Sequence, residues 1–178
     1  MLCCNEKLKV RYLEKKDNRL LAKWLSNPKV LEFYEGRDNP FDVNKVNEVF
    51  YPKKNNVTAC IFEYDGTPIG YIQYYQLNEN DREQYGLKPE PITIFGLDQF
   101  IGEVDYWNKG IGTLLVSSMS QFLVRDLGAK QIVLDPQARN LRAIKCYEKC
   151  SFKKIKWLPN HELHEGEYQD CWLMAYNP

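Results

Sequence analysis

Trp107-Asn108-Lys109-Gly110-Ile111-Gly112-Thr113-Leu114-Leu115 sets two glycines one residue apart at the head of an apolar, helix-like run. Glycine weakens a helix interior, so the pair marks either a tight turn before a core helix or a backbone that approaches a ligand closely. The uncapped N–H groups of a first helical turn carry partial positive charge and suit a phosphate. Two familiar phosphate loops are excluded by the residues that follow. A P-loop needs Gly-Lys-Ser/Thr, whereas Gly112 is followed by Thr113-Leu114-Leu115. A dinucleotide fingerprint needs glycine or alanine three places after its second glycine, where Leu115 stands. From these residues alone, turn and anion cradle stand level.

Working outward, Ile111, Leu114, Leu115, Met119, Phe122 and Leu123 recur at helical spacing until Gly128 closes the run. Before the glycines, "ITIFGLDQFIG" (92–102) reads as a strand whose glycines can mark a bulge. After the helix, "QIVLD" (131–135) is a short apolar strand of the buried kind, and Asn140 can cap a helix carrying Ala143, Ile144 and Tyr147 on one face. Strands at 152–158 and 170–176 end the chain. Toward the N-terminus come a strand at 7–15, a helix capped by Asp17 and stopped by Pro28, and a helix at 42–50 ended by Pro52. Strands 57–64 and 69–77 are joined by the hairpin signal Asp65-Gly66, and 78–91 reads as a polar loop. Strand–helix–strand units over 92–158 imply parallel pairing there, giving an α/β fold with a mixed sheet. No linker or repeat interrupts it, so a single domain over 1–178 is expected.

The 178 residues carry 24 Lys+Arg and 24 Asp+Glu, so no whole-molecule field points to nucleic acid or an anionic membrane. The first residues lack an apolar core of signal-peptide length and no run is long enough to span a bilayer, so a cytoplasmic protein is expected. Cys3, Cys4, Cys60, Cys146, Cys150 and Cys171 form no Cys-x-x-Cys pair and read as reduced thiols, the first two in a frayed terminus. His161 and His164 lie in His-Glu-Leu-His, which is not the zinc motif His-Glu-x-x-His, and no metal is expected.

Charge is nevertheless segregated. Residues 108–156 hold ten Lys/Arg against three Asp/Glu, whereas 157–178 hold no Lys/Arg and four carboxylates, Glu162, Glu165, Glu167 and Asp170. A basic half beside the glycines suits a phosphorylated cofactor, and an acidic segment suits a polyamine. Taken one charge at a time, a solvated face is the better reading of both.

The glycine stretch resembles the GCN5-related N-acetyltransferase family, whose pattern is Gln/Arg-x-x-Gly-x-Gly/Ala. Gly110 and Gly112 hold the glycine places, and Trp107 departs from Gln/Arg. "NLRAIKCYEKCSF" is similar to the family's Asn-x-x-Ala-x-x-x-Tyr-x-x-x-Gly-Phe helix through Asn140, Ala143, Tyr147 and Phe152, with Ser151 in place of glycine. "LEFYEGRD", "PIGYIQ", "FGLDQFIGE", "VLDP", "LPNHELHEG" and "DCWLM" resemble aminoglycoside 6'-N-acetyltransferases, including the acetyltransferase half of bifunctional acetyl/phosphotransferase resistance enzymes. The resemblance implies a mixed, mostly antiparallel sheet with splayed central parallel strands flanked by helices. It also implies acetyl-CoA as donor, an aminoglycoside as acceptor, antibiotic resistance as outcome, and a monomer or weak homodimer.

By that resemblance Trp107, Lys109, Gly110, Ile111, Gly112 and Thr113 cradle the coenzyme, and backbone N–H groups around Gln99, Phe100 and Ile101 hold the pantetheine arm and the carbonyl. Asn140 and Ala143 touch the same arm, and the Tyr147 hydroxyl protonates the leaving thiolate. From the residues alone, Asn140 is equally a helix cap and Tyr147 a core tyrosine. Asp98, an Asp flanked by Leu97 and Phe100, is poorly explained by packing and is the candidate that contacts the reactive ammonium and takes its proton. Asp135 binds a second amine or starts an Asp-Pro turn. Tyr34, with Phe33, packs against sugar rings, Trp24 belongs to the core, and Glu162 and Glu165 in a late acidic loop gather the polycation. Two rivals are an acetyltransferase for a protein amino terminus or other small amine, and a non-catalytic acetyl-CoA sensor that needs neither Asp98 nor Tyr147.

Overall fold

The computed structural model describes residues 2–4, 6–52, 56–88 and 90–178, with Cys3 and Cys4 by their backbone alone. Eight strands form one sheet: β1 (Cys3–Cys4), β2 (Leu8–Tyr12), β3 (Val57–Tyr64), β4 (Thr67–Gln76), β5 (Ile94–Ile101), β6 (Gln131–Leu134), β7 (Lys153–His164) and β8 (Glu167–Tyr176). Their order is β1-β2-β3-β4-β5-β6-β8-β7, antiparallel throughout except for β5 and β6. The helices are α1 (Asn18–Trp24), α2 (Pro28–Leu31), α3 (Val43–Phe50), α4 (Glu79–Tyr85), α5 (Ile111–Leu127) and α6 (Leu141–Lys149). Leu115, Met119 and Leu123 of α5 and Ile144 of α6 cover one face of the sheet, and Leu21, Trp24, Leu31 and Val46 cover the other. The two-layer burial accounts for the apolar spacing of the helices and for the mixed sheet the sequence implies.

Asp65 and Gly66, both at positive φ (47° and 77°), close the β3–β4 hairpin as the sequence predicts. Five details differ. The expected frayed terminus supplies β1, paired with β2 at Cys3↔Val10 and Cys4↔Lys9. Asp17 stands at the N-cap position of α1, but its side chain makes no cap bond there; buried, it takes the Glu14 N–H (2.8 Å) and two bonds from the Arg11 guanidinium (2.7 and 2.9 Å). Pro28 does not stop a helix but starts α2, where its missing N–H costs nothing, with the Asn27 side chain as cap. The polar loop contains α4, opened by a reciprocal Asn78/Asp81 capping box and closed by left-handed Gly86; Pro89 of that stretch lies outside the described residues. β5 runs against β4 in unbroken register, so its glycines mark no bulge. A Cβ on Gly96 would collide with the Tyr75 ring, which explains that glycine by space.

The late acidic segment is not a loop. β7 and β8 pair as far as His164↔Glu167, across a turn in which Glu165 and Gly166 take positive φ (52° and 79°). A register shift between Leu158 and Glu162 includes Asn160, also at positive φ, whose N–H donates to Asp170 (2.8 Å).

Candidate active site

β5 and β6 pair only at Ile94↔Gln131, Phe95↔Ile132 and Gly96↔Val133, and then part. Backbone groups of successive strand residues face opposite neighbours. Ile94 accepts from Leu77 and Gly102 donates to Ile69, so even-numbered residues of β5 face β4 and odd-numbered ones face the gap. The Phe100 N–H therefore belongs to the β4 ladder, against the sequence expectation. The open edge is supplied by Gln99 and by the Ile101 N–H, while the Ile101 carbonyl takes the Trp107 indole N–H at 2.9 Å.

Two clefts meet across this gap. The first, about 380 Å³, runs between the start of α5 and one face of α6 and includes Arg142, Lys145 and Lys149 but no carboxylate. The second, about 480 Å³, lies between β5, β6 and the β7–β8 hairpin and includes Glu35, Asp98, Asp135 and Glu162 but no Lys or Arg. Phe33, Tyr34, Gln99, Asn140 and Tyr147 border both. Charge is thus segregated between two adjoining cavities, but not as it is along the chain: Glu35, Asp98 and Asp135 of the acidic cavity lie outside 157–178, and Asp135 lies within the basic stretch.

At the basic cleft, Gly110 ends the preceding loop at φ 77° without any side-chain cap, which leaves the first amides of α5 uncapped. A Cβ on Gly112 would lie 3.4 Å from the Cys146 sulfur, the one neighbour in reach. Thr113 and Ala143 border the same cleft. Ile111 does not present its side chain there: it is buried in the core under the sheet, and only its main chain belongs to the turn. Lys109 does not border the cleft either, and its ammonium lies 5.6 Å over the Tyr106 ring.

Where the clefts join, Gln99 Nε2 donates to the Tyr147 oxygen at 2.6 Å, which leaves the phenol hydrogen for another acceptor. Gln99 Oε1 is buried without a partner among the described residues. Burial pushes the Tyr147 phenol far up, and Cys146 and Asp98 add to the effect, so it is a proton donor at neutral pH. Asn140 caps α6 by accepting the Ala143 N–H (3.2 Å), so cap and cleft residue are one and the same.

In the acidic cleft, Asp98 accepts from Gln73 Nε2 at 2.8 Å. Burial, and then the neighbouring charge of Asp135, push its carboxyl up to about 7, against the Gln73 bond that lowers it. One oxygen of Asp135 takes the Tyr85 hydroxyl and His161 Nε2, each at 2.9 Å, and that bond raises the His161 pKa. Gln137 holds Glu162 at 3.0 Å. Tyr34 packs on Phe100 with ring centroids 4.6 Å apart, and Phe33 lies beneath Arg139. Trp24 is core, as expected, and its indole binds Glu103.

Glu165 is not in this cleft. Arg37 grips it with its N–H (3.0 Å), Nε (2.7 Å) and Nη2 (2.8 Å), and that pairing brings its carboxyl down to about 2. Asp170 is occupied by Asn160, and Glu167 is exposed on β8 outside the cleft. Of the four late carboxylates, only Glu162 borders the cavity. The sequence reading missed Glu35, Gln73, Tyr75 and Tyr85. For Tyr85 a signal existed: the Asn78-x-x-Asp81 capping box and Gly86 delimit the short helix that carries it inward.

A splayed β5–β6 pair, a glycine turn opening a helix and a phenol at the junction of two clefts define an acyl-transfer scaffold. The acetyltransferase (GNAT) domain family matches residues 14–159, and the chain belongs to that family: it is an N-acetyltransferase using acetyl-CoA. Aminoglycoside N(6')-acetyltransferase type 1 of Klebsiella pneumoniae is 30% identical over 153 residues, 84% of this chain and 76% of that protein. The solved structure of AAC(6')-Ib with ribostamycin and coenzyme A is 26% identical, covers 97% of this chain and 94% of its own, and superimposes with TM-score 0.76. The same enzyme with coenzyme A and kanamycin is 27% identical, with coverage of 96% and 94% and TM-score 0.74. Among the described residues, no helix is long and apolar enough to cross a membrane, and no group of three metal-binding side chains occurs.

Proposed function

We propose that this chain acetylates the 6'-amine of an aminoglycoside by direct transfer from acetyl-CoA, on a single domain over 1–178, and so confers resistance to the antibiotic. The observation that carries this reading is the joining of a cavity bordered by cations to one bordered by four carboxylates. The donor is polyanionic and the acceptor polycationic, and like charge against either would be repelled. The relatives named above act on or hold the same acceptor class. The Cys60, Cys146, Cys150 and Cys171 thiols are free, which supports a reducing, cytoplasmic setting.

The residues fit the coenzyme. Uncapped amides at Gly112 and Thr113 suit its pyrophosphate, and the open edge of β5 suits the amides of its pantetheine arm, with Gln99 and Ile101 as partners. Bound there, acetyl-CoA supplies the acetyl group as a thioester. The N–H groups that β5 turns to the gap, those of Gln99 and Ile101, and the Asn140 side-chain amide are donors available to the carbonyl oxygen as charge develops on it. Asp98, ionised above about pH 7, pairs with the incoming ammonium and takes a proton from it, directly or through water. Asp135, Glu35 and Glu162 hold further ammonium groups, and Tyr34 offers a ring face to a sugar. Tyr147, kept protonated, gives its hydrogen to the departing thiolate. Cys146, which borders the basic cleft, lies against the Thr113 hydroxyl with its thiol pushed far up by Cys150 and burial, so it stays protonated and attack is by the amine itself.

The test is release of coenzyme A thiol with a panel of aminoglycosides that carry or lack a 6'-amine, run beside peptides with free amino termini. Turnover restricted to the 6'-amino members is expected. Turnover of peptides alone would transfer the reading to protein amino termini, and binding of acetyl-CoA without turnover would make the chain a sensor.

A further inference from the structure

Trp107 stands where a polar side chain is the rule, and its indole N–H is committed to the Ile101 carbonyl at 2.9 Å. It has no donor left for a ligand. Its ring, however, carries the guanidinium of Arg142 at 3.7 Å from the centroid. Arg142 makes no ion pair among the described residues and, with Trp107, Asn108 and Gly110, borders the basic cleft. A guanidinium lying flat on an aromatic ring still presents its N–H edge in the plane, and stacking fixes the direction of that edge. Arg142, Lys145 and Lys149 follow one another at helical spacing along the face of α6 that borders the cleft.

We propose that Arg142, held over the Trp107 ring, is the side-chain ligand of the coenzyme's pyrophosphate, opposite the uncapped amides of α5. Trp107 is a positioning residue: it fastens to the strand edge through its indole and aims the guanidinium with its ring. The departure from the family pattern is thereby offset by a cation from the next helix. A planar fork also grips two phosphate oxygens at once, which a lone ammonium does not.

This rests on the reading of the basic cleft as the coenzyme's phosphate site, and the experiment separates the two. Dissociation constants are measured by calorimetry for coenzyme A, 3'-dephospho-coenzyme A and pantetheine with wild type, Arg142→Ala, Trp107→Leu and the double variant, with Lys154→Ala as the control for net charge. Arg142→Ala is expected to weaken both phosphorylated ligands about tenfold, in keeping with loss of one charged hydrogen-bonding partner, and to leave pantetheine unchanged. Trp107→Leu should reproduce most of that loss, and the double variant should add little to it. Arg142→Lys, which keeps the charge and loses the fork, should fall between. If Arg142→Ala weakens coenzyme A but spares the 3'-dephospho form, the guanidinium serves the 3'-phosphate and the proposal is wrong. Unchanged discrimination in Arg142→Ala overturns it outright. A wild type that binds coenzyme A no better than pantetheine overturns instead the phosphate reading of the cleft.

Discussion

The two clefts are made of different material. The basic one joins main chain, the bared edge of β5 and the uncapped start of α5, to the cationic side chains on one face of α6. The acidic one is built from side chains brought together from β4, α4, β5, β6 and β7, each held by a neighbour: Asp98 by Gln73, Asp135 by Tyr85 and His161, Glu162 by Gln137. A main-chain site grips what all its ligands share, here a coenzyme. A side-chain site is tuned position by position, so both the largest and the most selective effects of single substitutions should fall in the acidic cleft.

The largest effect belongs to Asp98. Removing a positioned general base commonly lowers a rate about 10²- to 10⁴-fold, so Asp98→Asn should depress kcat/KM by at least about a hundredfold with acetyl-CoA binding intact. In wild type the pH dependence of kcat/KM should rise through about 7, where the free enzyme's Asp98 ionises, and the variant should lose that limb. The same raised pKa bears on stability. The folded state holds the Asp98 proton more tightly than the unfolded chain, so its contribution is complete below the ordinary carboxylate range and is lost as pH rises through about 7. Asp98→Asn should thus melt a few degrees above wild type at pH 8 and level with it at pH 4. A variant that is slow at pH 8 but no more stable than wild type would separate the catalytic from the electrostatic account.

Tyr147→Phe comes next. It deletes the proton donor and leaves Gln99 Nε2 without an acceptor, but it preserves the ring. A fall in kcat of about ten- to a hundredfold is expected, with the acetyl-CoA dissociation constant unchanged. Equal losses in kcat and coenzyme binding would make the phenol part of the binding wall. On the basic side, Gly112→Val tests the main-chain site. Gly112 has an ordinary helical conformation with only the Cys146 sulfur in reach of a Cβ, so the chain should fold normally. Branched methyl groups beside the α5 amides should weaken acetyl-CoA about tenfold, through one displaced charged contact, and leave the acceptor KM alone. Unchanged coenzyme affinity there would show that the turn is only a turn.

The same difference in material decides what could be read from the chain. Main-chain features follow from local rules, so Gly110-x-Gly112, the Asp65-Gly66 hairpin, the α5 spacing and the alternation of strands and helices from β5 onward were legible, whereas β1, α2 and α4 were not. Asp98 was legible too, because a carboxylate within an apolar strand needs a reason. Tyr75 and Gln73 were not. They fall in a strand whose periodicity shows which residues share a face, and nothing in the spacing says that this face meets β6 across a gap. Asp17 reads as a capping side chain because the spacing of α1 says nothing of Arg11 on β2, whose guanidinium takes both its oxygens. The acidic segment misled for a related reason. Four carboxylates close in sequence look like one patch, but strand alternation, the shift between Leu158 and Glu162 and the turn at Glu165–Gly166 send them to different places.

That divergence gives the smallest and most discriminating effect. Glu162→Gln removes a charge from the cleft and keeps a polar side chain for Gln137 to bind. Glu165→Gln removes the same charge only three residues along the chain, but from a pair with Arg37. A partly exposed charge contact is worth little, about 0.2–1 kcal/mol, so the acceptor KM of Glu162→Gln should rise only about two- to fivefold, with kcat nearly unchanged. The Debye length is about 10 Å at 0.1 M salt, so the wild-type acceptor KM should rise with added salt, and Glu162→Gln should flatten that response. For Glu165→Gln both Michaelis constants should stay as in wild type. The change should be felt instead as faster hydrogen exchange at Arg37 and its neighbours, whose main chain it holds through the Arg37 N–H. Equal rises in acceptor KM for the two variants, with equal loss of salt sensitivity, would mean that the substrate responds to the summed field of the hairpin. Wall contacts would then matter less than proximity along the chain.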